Sequence, residues 1–285
     1  MIEIQANGLT FDAEVAGQPG DPMVLMLHGF PQTAYTWRYQ LQPLADAGYY
    51  VVAPNQRGYS PGARPAAIAD YITENLLADA KALIEVSGYE RAHVVGHDWG
   101  GQLSWLLAAL SPSVVTTLTV LSRPHPAAFL NAMANDSAQA GRSRHHKAFQ
   151  DMSAAGKLVA EGGKRLRELF RNAGVNEVDT NAYADHFLEE PVMNAAINWY
   201  RAGYSSSGGQ PLAPPDVPAV DVPTLYIWGD ADSTVGRMAA EGTADYVSGA
   251  YRFVELAGID HFVTDQAGDE VTDLLLAHLN FNGEQ

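Results

Sequence analysis

Val94-Val95-Gly96-His97-Asp98-Trp99-Gly100-Gly101 is the stretch on which the reading of this chain turns. A short apolar run ends in Gly-x-Asp-x-Gly-Gly and passes into Gln102-Leu103-Ser104-Trp105-Leu106-Leu107-Ala108-Ala109-Leu110, which reads as a helix. Strand, sharp turn and helix in that order make a nucleophile elbow, which presents its central side chain above a sheet. Gly96 and Gly100 leave the room such a turn needs, because a Cβ at either place would meet neighbouring backbone. Serine, which attacks acyl carbons, is the usual central residue; here it is Asp98. A carboxylate instead displaces a leaving group from a saturated carbon, and the resulting alkyl ester on the protein must then be removed by water. Asp98 therefore points to epoxides or carbon–halogen bonds. Asp is also a favoured helix N-cap, so these eight residues alone leave a plain capping role open.

Around this stretch the chain alternates strand-like and helical segments. Val24-Leu25-Met26-Leu27, Tyr50-Val51-Val52-Ala53 and His93-Val94-Val95-Gly96 are near-continuous apolar runs, suited to strands covered on both faces. Residues 35–48 and 69–87 carry helical spacing between them, and Val114 to Leu121 reads as the next strand. From roughly Pro124 to Arg201 the periodicity is helical with almost no strand signal. A broken linker, Ser205 to Pro211 with Pro214, Pro215 and Pro218 beyond, precedes strands at Pro223 to Gly229 and Tyr251 to Leu256 and a helix from Glu270 to Leu279. The fold class expected is α/β, a mostly parallel sheet flanked by helices with an inserted helical cap. Its expected parts are a core over 1–122, a cap over 123–217 and a second core part over 218–285. A cap over the carboxyl ends of parallel strands covers a ligand crevice.

Composition narrows the function. With 285 residues, 47% of them hydrophobic, the chain can bury a large core. It has no cysteine, which removes disulfides and thiol nucleophiles. The net charge of −16 argues against nucleic acid and anionic substrates. Nine scattered His residues lack metal-ligand spacing, so no metal and no cofactor are expected. Met1 to Gln5 lacks the pattern of a signal peptide and no run approaches membrane-spanning length, so a soluble, cytoplasmic protein without membrane contact is expected. A homodimer is compatible with the sequence, which does not speak to assembly.

Two later pieces fall where a hydrolase needs them. Gly229-Asp230-Ala231-Asp232 follows one strand and Gly258-Ile259-Asp260-His261-Phe262 the next. His261 would be the base that activates water, since an imidazole pKa of ~6.5 suits proton abstraction near neutrality. A carboxylate would orient it, and Asp230, Asp232 and Asp260 are the candidates; the α/β-hydrolase pattern that these pieces resemble has its acid at the Gly-x-x-Asp place, which is Asp232. His28-Gly29-Phe30-Pro31, directly after an apolar run, would make a plain turn, or, as in the folds that carry such an elbow, add the Phe30 N–H to that of Trp99 as an oxyanion hole.

Through these residues, and through Asn198-Trp199-Tyr200-Arg201, the chain resembles the α/β-hydrolase superfamily over essentially its whole length, and within it the epoxide hydrolases. That resemblance implies that Tyr200 donates a hydrogen bond to the oxygen of a small apolar epoxide, and that water completes a vicinal diol. The family commonly has a second tyrosine before an aromatic-Gln pair; the matching Ser143 to Gln150 has none and puts His145 there, as a second acid or a substrate contact. Tyr183 and Tyr204 are other candidate donors. Trp37 and Trp199, with Phe30, Trp99 and Phe149, are candidates for an apolar pocket, and core packing explains each of them equally well. Haloalkane dehalogenases share the fold and the Asp-Trp pair but usually carry a second halide donor, often Asn where Phe30 stands. A third reading is a non-catalytic ligand-binding homologue.

Overall fold

Eight strands form one sheet in a computed structural model that describes residues 1–206 and 217–280. They are β1 (Ile2–Ala6), β2 (Leu9–Ala16), β3 (Met23–Leu27), β4 (Tyr50–Pro54), β5 (Ala92–His97), β6 (Val115–Leu121), β7 (Thr224–Gly229) and β8 (Tyr251–Leu256). Their order across the sheet is β1-β2-β4-β3-β5-β6-β7-β8. The pairings of β2 with β1 and β4 are antiparallel, and all others are parallel.

Every residue of β3, β4 and β5 is buried, which is why these strands read as unbroken apolar runs. Their side chains divide by parity. Leu25, Leu27, Val52 and Val94 enter one core cluster, while Val24, Met26, Val51 and Val95 enter another. Both faces of the sheet are thus covered. β2 has no counterpart among the runs read from the sequence. It alternates, with Phe11 and Ala13 buried and their neighbours half-exposed.

The helices before β6 are α1 (Arg38–Asp46), α2 (Thr73–Val86) and α3 (Trp99–Leu110). Between β6 and β7 come α4 (Pro126–Asn135), α5 (Ser137–Arg142), α6 (Arg144–Ala148), α7 (Ala154–Asn172), α8 (Glu177–His186) and α9 (Glu190–Ser206). The last three are α10 (Arg237–Glu241), α11 (Val263–Gln266) and α12 (Gly268–Leu279). Ser205 and Ser206, read as the start of a linker, close α9; the rest of that linker, with Pro214 and Pro215, lies outside the described residues. Among the described residues no helix is long and apolar enough to cross a membrane.

Asp98, His28, Asp232 and His261 follow β5, β3, β7 and β8 respectively. All four sit beyond the carboxyl ends of parallel strands, where open α/β sheets form their ligand crevice.

Candidate active site

Asp98 stands between β5 and α3 with φ 49° and ψ −114°. A non-glycine residue held at positive φ is strained by about 1–3 kcal/mol and persists only where its surroundings impose it. They do so here. A Cβ on Gly100 would lie 2.1 Å from the Leu27 carbonyl oxygen, so only glycine lets α3 start this close to β3. The Asp98 carboxylate makes no capping hydrogen bond to α3, which sets the plain capping role aside. Instead its Oδ1 accepts from the Phe30 N–H at 2.9 Å. Gly29 permits that approach, because a Cβ there would sit 2.4 Å from the Asp98 Cβ. The His28 ring anchors the loop by accepting the Gln56 N–H at 3.1 Å, and burial pushes its pKa down to about 3, keeping it a neutral acceptor.

His261 reaches the other carboxylate oxygen, its Nε2 lying 3.6 Å from Asp98 Oδ2. Its Nδ1 faces Asp232 at 3.0 and 3.2 Å. Asp232 is fixed in turn by the Thr234 and Val235 N–H groups, at 2.7 and 2.8 Å. Asp230 and Asp260 bind backbone N–H groups of the neighbouring loops and do not hold the ring. Burial opposes a charged imidazole, but Asp232 and then Asp98 raise His261 to about 10, so it is imidazolium at neutral pH. Burial likewise opposes the Asp98 charge, yet adjacent His261 holds that carboxyl well below the usual range. The resting site is an ion pair.

Across from Asp98 lies a cavity of about 360 Å³ lined by Phe30, His145, Phe149, Tyr200 and Phe262, with Asn172, Ser233, Thr234 and Asp260 also facing it. Tyr200 is 4% exposed, packed edge-on to Phe30 and Trp99 with centroids at 5.5 and 4.9 Å. Burial, then the Asp98 charge, raises its phenol well above 10, so it stays protonated. Its backbone carbonyl accepts from Gln150, and Arg201 donates to the Phe149 carbonyl, which ties α9 to the turn after α6. His145 also lines the cavity. Its Nδ1 bonds the Arg142 carbonyl at 3.2 Å, so Nδ1 carries the proton and Nε2 is a bare acceptor. Burial pushes its pKa down to about 4.

Two candidate pocket residues are corrected. Trp37 is fully buried in the core cluster with Val24, Leu44 and Val263, away from the cavity. Trp199 is 2% exposed and supports the site from behind, donating to the Arg57 carbonyl at 2.8 Å and packing on Trp99. Tyr183 is spent on Asp265, to which its hydroxyl donates at 2.9 Å, and the Tyr204 side chain lies outside the described residues. Among the described residues no cluster of His, Asp and Glu could hold a metal ion.

Residues 22–266 match the family model described as the alpha/beta hydrolase fold. The chain belongs to the α/β-hydrolase family. Within that family it is epoxide-hydrolase-like. It is 32% identical to Epoxide hydrolase A of Mycobacterium tuberculosis, over 97% of this chain and 96% of that one. It is also 32% identical to Epoxide hydrolase 4 of Mus musculus, over 98% of this chain and 78% of that one. A variant of an epoxide hydrolase from Bacillus megaterium, complexed with its product (R)-3-[1]naphthyloxy-propane-1,2-diol, superposes with a TM-score of 0.89 at 26% identity, covering 98% of this chain and 100% of that one.

In this α/β-hydrolase, two residues near the site escaped the sequence. His97 donates from Nε2 to the His261 carbonyl at 2.9 Å, pinning the loop that carries the imidazole. Its place beside Asp98 was the one available hint. Arg123, buried beyond β6, carries no motif at all.

Proposed function

We propose that this chain hydrolyses small, uncharged, largely apolar epoxides to vicinal diols through a covalent Asp98 ester. The observation that carries the reading is an aspartate at the elbow, within ion-pair reach of His261, facing a phenol-lined cavity. An Asp98 oxygen attacks a ring carbon, the carbon–oxygen bond breaks, and its electron pair stays on the ring oxygen. That oxygen takes the Tyr200 proton, which solvent later replaces. Neutral His145 has no free N–H toward the cavity, so it serves as a substrate contact and acts as a second acid only when protonated.

Esterification removes the Asp98 charge that helps raise His261, so the imidazolium then releases its proton. Neutral His261, oriented by Asp232, takes a proton from water as the water oxygen bonds to the ester carbonyl carbon. The Phe30 N–H, already 2.9 Å from Oδ1, holds the oxyanion, joined in this reading by the Trp99 N–H. The bond from the carbonyl carbon to the diol oxygen then breaks, His261 protonates that oxygen, and the new Asp98 carboxylic acid passes its proton to His261, which restores the ion pair. The helices between β6 and β7 act as a cap, and the aromatic lining supports aryl substrates.

Halide chemistry is less well served. A haloalkane dehalogenase usually has a second halide donor; Phe30 stands in the usual Asn place, and the Trp37 indole lies in the core outside the cavity. His261→Gln should trap the first step: incubation with styrene oxide is expected to add the substrate mass to the intact protein, with diol release stopped. Continued diol formation without an adduct would remove His261 from this role, and bromide release from a bromoalkane with no action on the epoxide would favour dehalogenation.

A further inference from the structure

Arg123 lies two residues beyond β6, 4% exposed, on the flank of the nucleophile. Its Nε donates to the Gln102 amide oxygen at 3.0 Å, and its guanidinium carbon sits 4.3 Å from the Phe129 ring centroid and 6.0 Å from that of Trp99. Its Cβ abuts α3, since a Cβ on Gly101 would come within 2.9 Å of it. Buried Arg57 and Arg38 face carboxylates, Asp79 for the first and Asp179 with Asp265 for the second. Arg123 has no carboxylate within ion-pair distance among the described residues. A cation held in the interior without an anionic partner is costly, and a neutral side chain of the same shape would be tolerated as well or better. Its position therefore calls for a reason other than stability.

We propose that Arg123 is a positioning residue for charge: it balances the negative charge of Asp98 and supports its return when the ester is hydrolysed. The inference rests on the covalent reading of the site. At rest Asp98 and Asp232 are anionic and His261 is imidazolium, leaving one negative charge that the Arg123 guanidinium offsets. Burial depresses the guanidinium, and Asp98, followed by Tyr200, is the group that most opposes this. Ring opening moves charge from Asp98 to the oxygen beside Tyr200. The Arg123 charge is felt at both Asp98 and Tyr200, so its effect on that step largely cancels. Ester hydrolysis differs, because a full negative charge appears on an Asp98 group that was neutral. At an effective dielectric of about 20, a coupling of about 1.4 kcal/mol between such buried unit charges changes the step about tenfold.

Single-turnover reactions with styrene oxide, followed by intact mass, separate the two steps in the parent, Arg123→Met, Arg123→Gln and Arg123→Lys. The neutral variants are expected to hydrolyse the ester about tenfold more slowly, to accumulate it, and to alkylate within about threefold of the parent. Lys should restore most of the second step. The thermal midpoint of Arg123→Met should not fall, and NMR titration should move the His145 pKa upward from about 4 once the neighbouring cation is gone. An unchanged hydrolysis step in whichever neutral variant folds overturns the proposal, as does a parallel fall of both steps with a lowered midpoint and no rescue by Lys. A parent that never carries an ester overturns the reading of the site and this inference together, whereas a parent with a normal ester isolates the failure to Arg123.

Discussion

At the scale of single residues, the chemistry depends on which side chain can give a proton. Tyr200 is buried, protonated and on the cavity wall, while His145 presents an acceptor. Tyr200→Phe is therefore expected to slow alkylation about 10²-fold or more, the usual contribution of a positioned acid. His145→Ala should slow it less than tenfold at pH 7. Rapid-quench measurement of the first step checks both, and a larger loss from His145→Ala than from Tyr200→Phe would reverse the assignment. Asp98, Asp232 and His261 could be picked out of the sequence only as a set, each following a strand in the order nucleophile, acid, His; taken alone, Asp98 reads as a helix cap as well. The places of Trp37 and Trp199 were not legible. Whether an aromatic faces a cavity or a core depends on which side of its element is covered, and nothing within a few residues of either tryptophan records that.

At the scale of elements, a buried polar clasp joins the helical insertion to the core. Arg38 on α1 contacts Asp179 on α8 at 2.5 Å and Asp265 on α11 at 2.8 Å. Tyr183 on α8 and Gln32 also bond Asp265, at 2.9 and 2.6 Å. Asp265 lies four residues after His261, so the clasp seats α8 against the loop that carries His261. Burial, against the pull of Arg38, raises the Asp265 carboxyl to about 6. Arg38→Met would leave two buried carboxylates short of a partner, and a loss of about 3 kcal/mol is expected from urea unfolding at pH 7. Unfolding within about 0.5 kcal/mol of the parent would show that the clasp is not stabilising. Strand positions were largely legible, since β3, β4 and β5 are apolar throughout, but the clasp was not. Its members come from four separate segments, and each alone looks like an ordinary surface charge or a core tyrosine.

At the scale of the whole molecule, stability should peak near neutrality. Burial lowers His28 to about 3 and His93, His97 and His125 to about 4. The unfolded chain therefore binds their protons first as pH falls, and their contribution, complete above ~6.5, is lost toward pH 4 at up to ~1.4 kcal/mol per pH unit for each. Asp265, raised to about 6, works the other way over part of that window, but His145 and His186, each lowered to about 4, and His146 and His278, also lowered by burial, add to the loss. His261, raised to about 10, contributes stability that is complete below ~6.5 and lost as pH rises through 10. Urea unfolding in ~0.15 M salt, which screens the surplus negative charge, should give a stability lower by at least about 5 kcal/mol at pH 5 than at pH 7. Equal or greater stability at pH 5 would mean that these histidines are not buried neutral. The order of β–α units and the helical excursion after β6 were visible in the sequence as changes of period. β2 was passed over because Asp12 and Glu14 alternate with its buried residues and break the apolar run.

The most direct test is one turnover of an excess of enzyme in heavy-oxygen water, followed by mass analysis of both the diol and the peptide that contains residue 98. If Asp98 is esterified and then freed by water, one heavy oxygen enters its carboxylate and the first diol released carries none. A labelled diol with an unlabelled peptide would mean that water attacks the substrate directly, and Asp98 would not be the nucleophile.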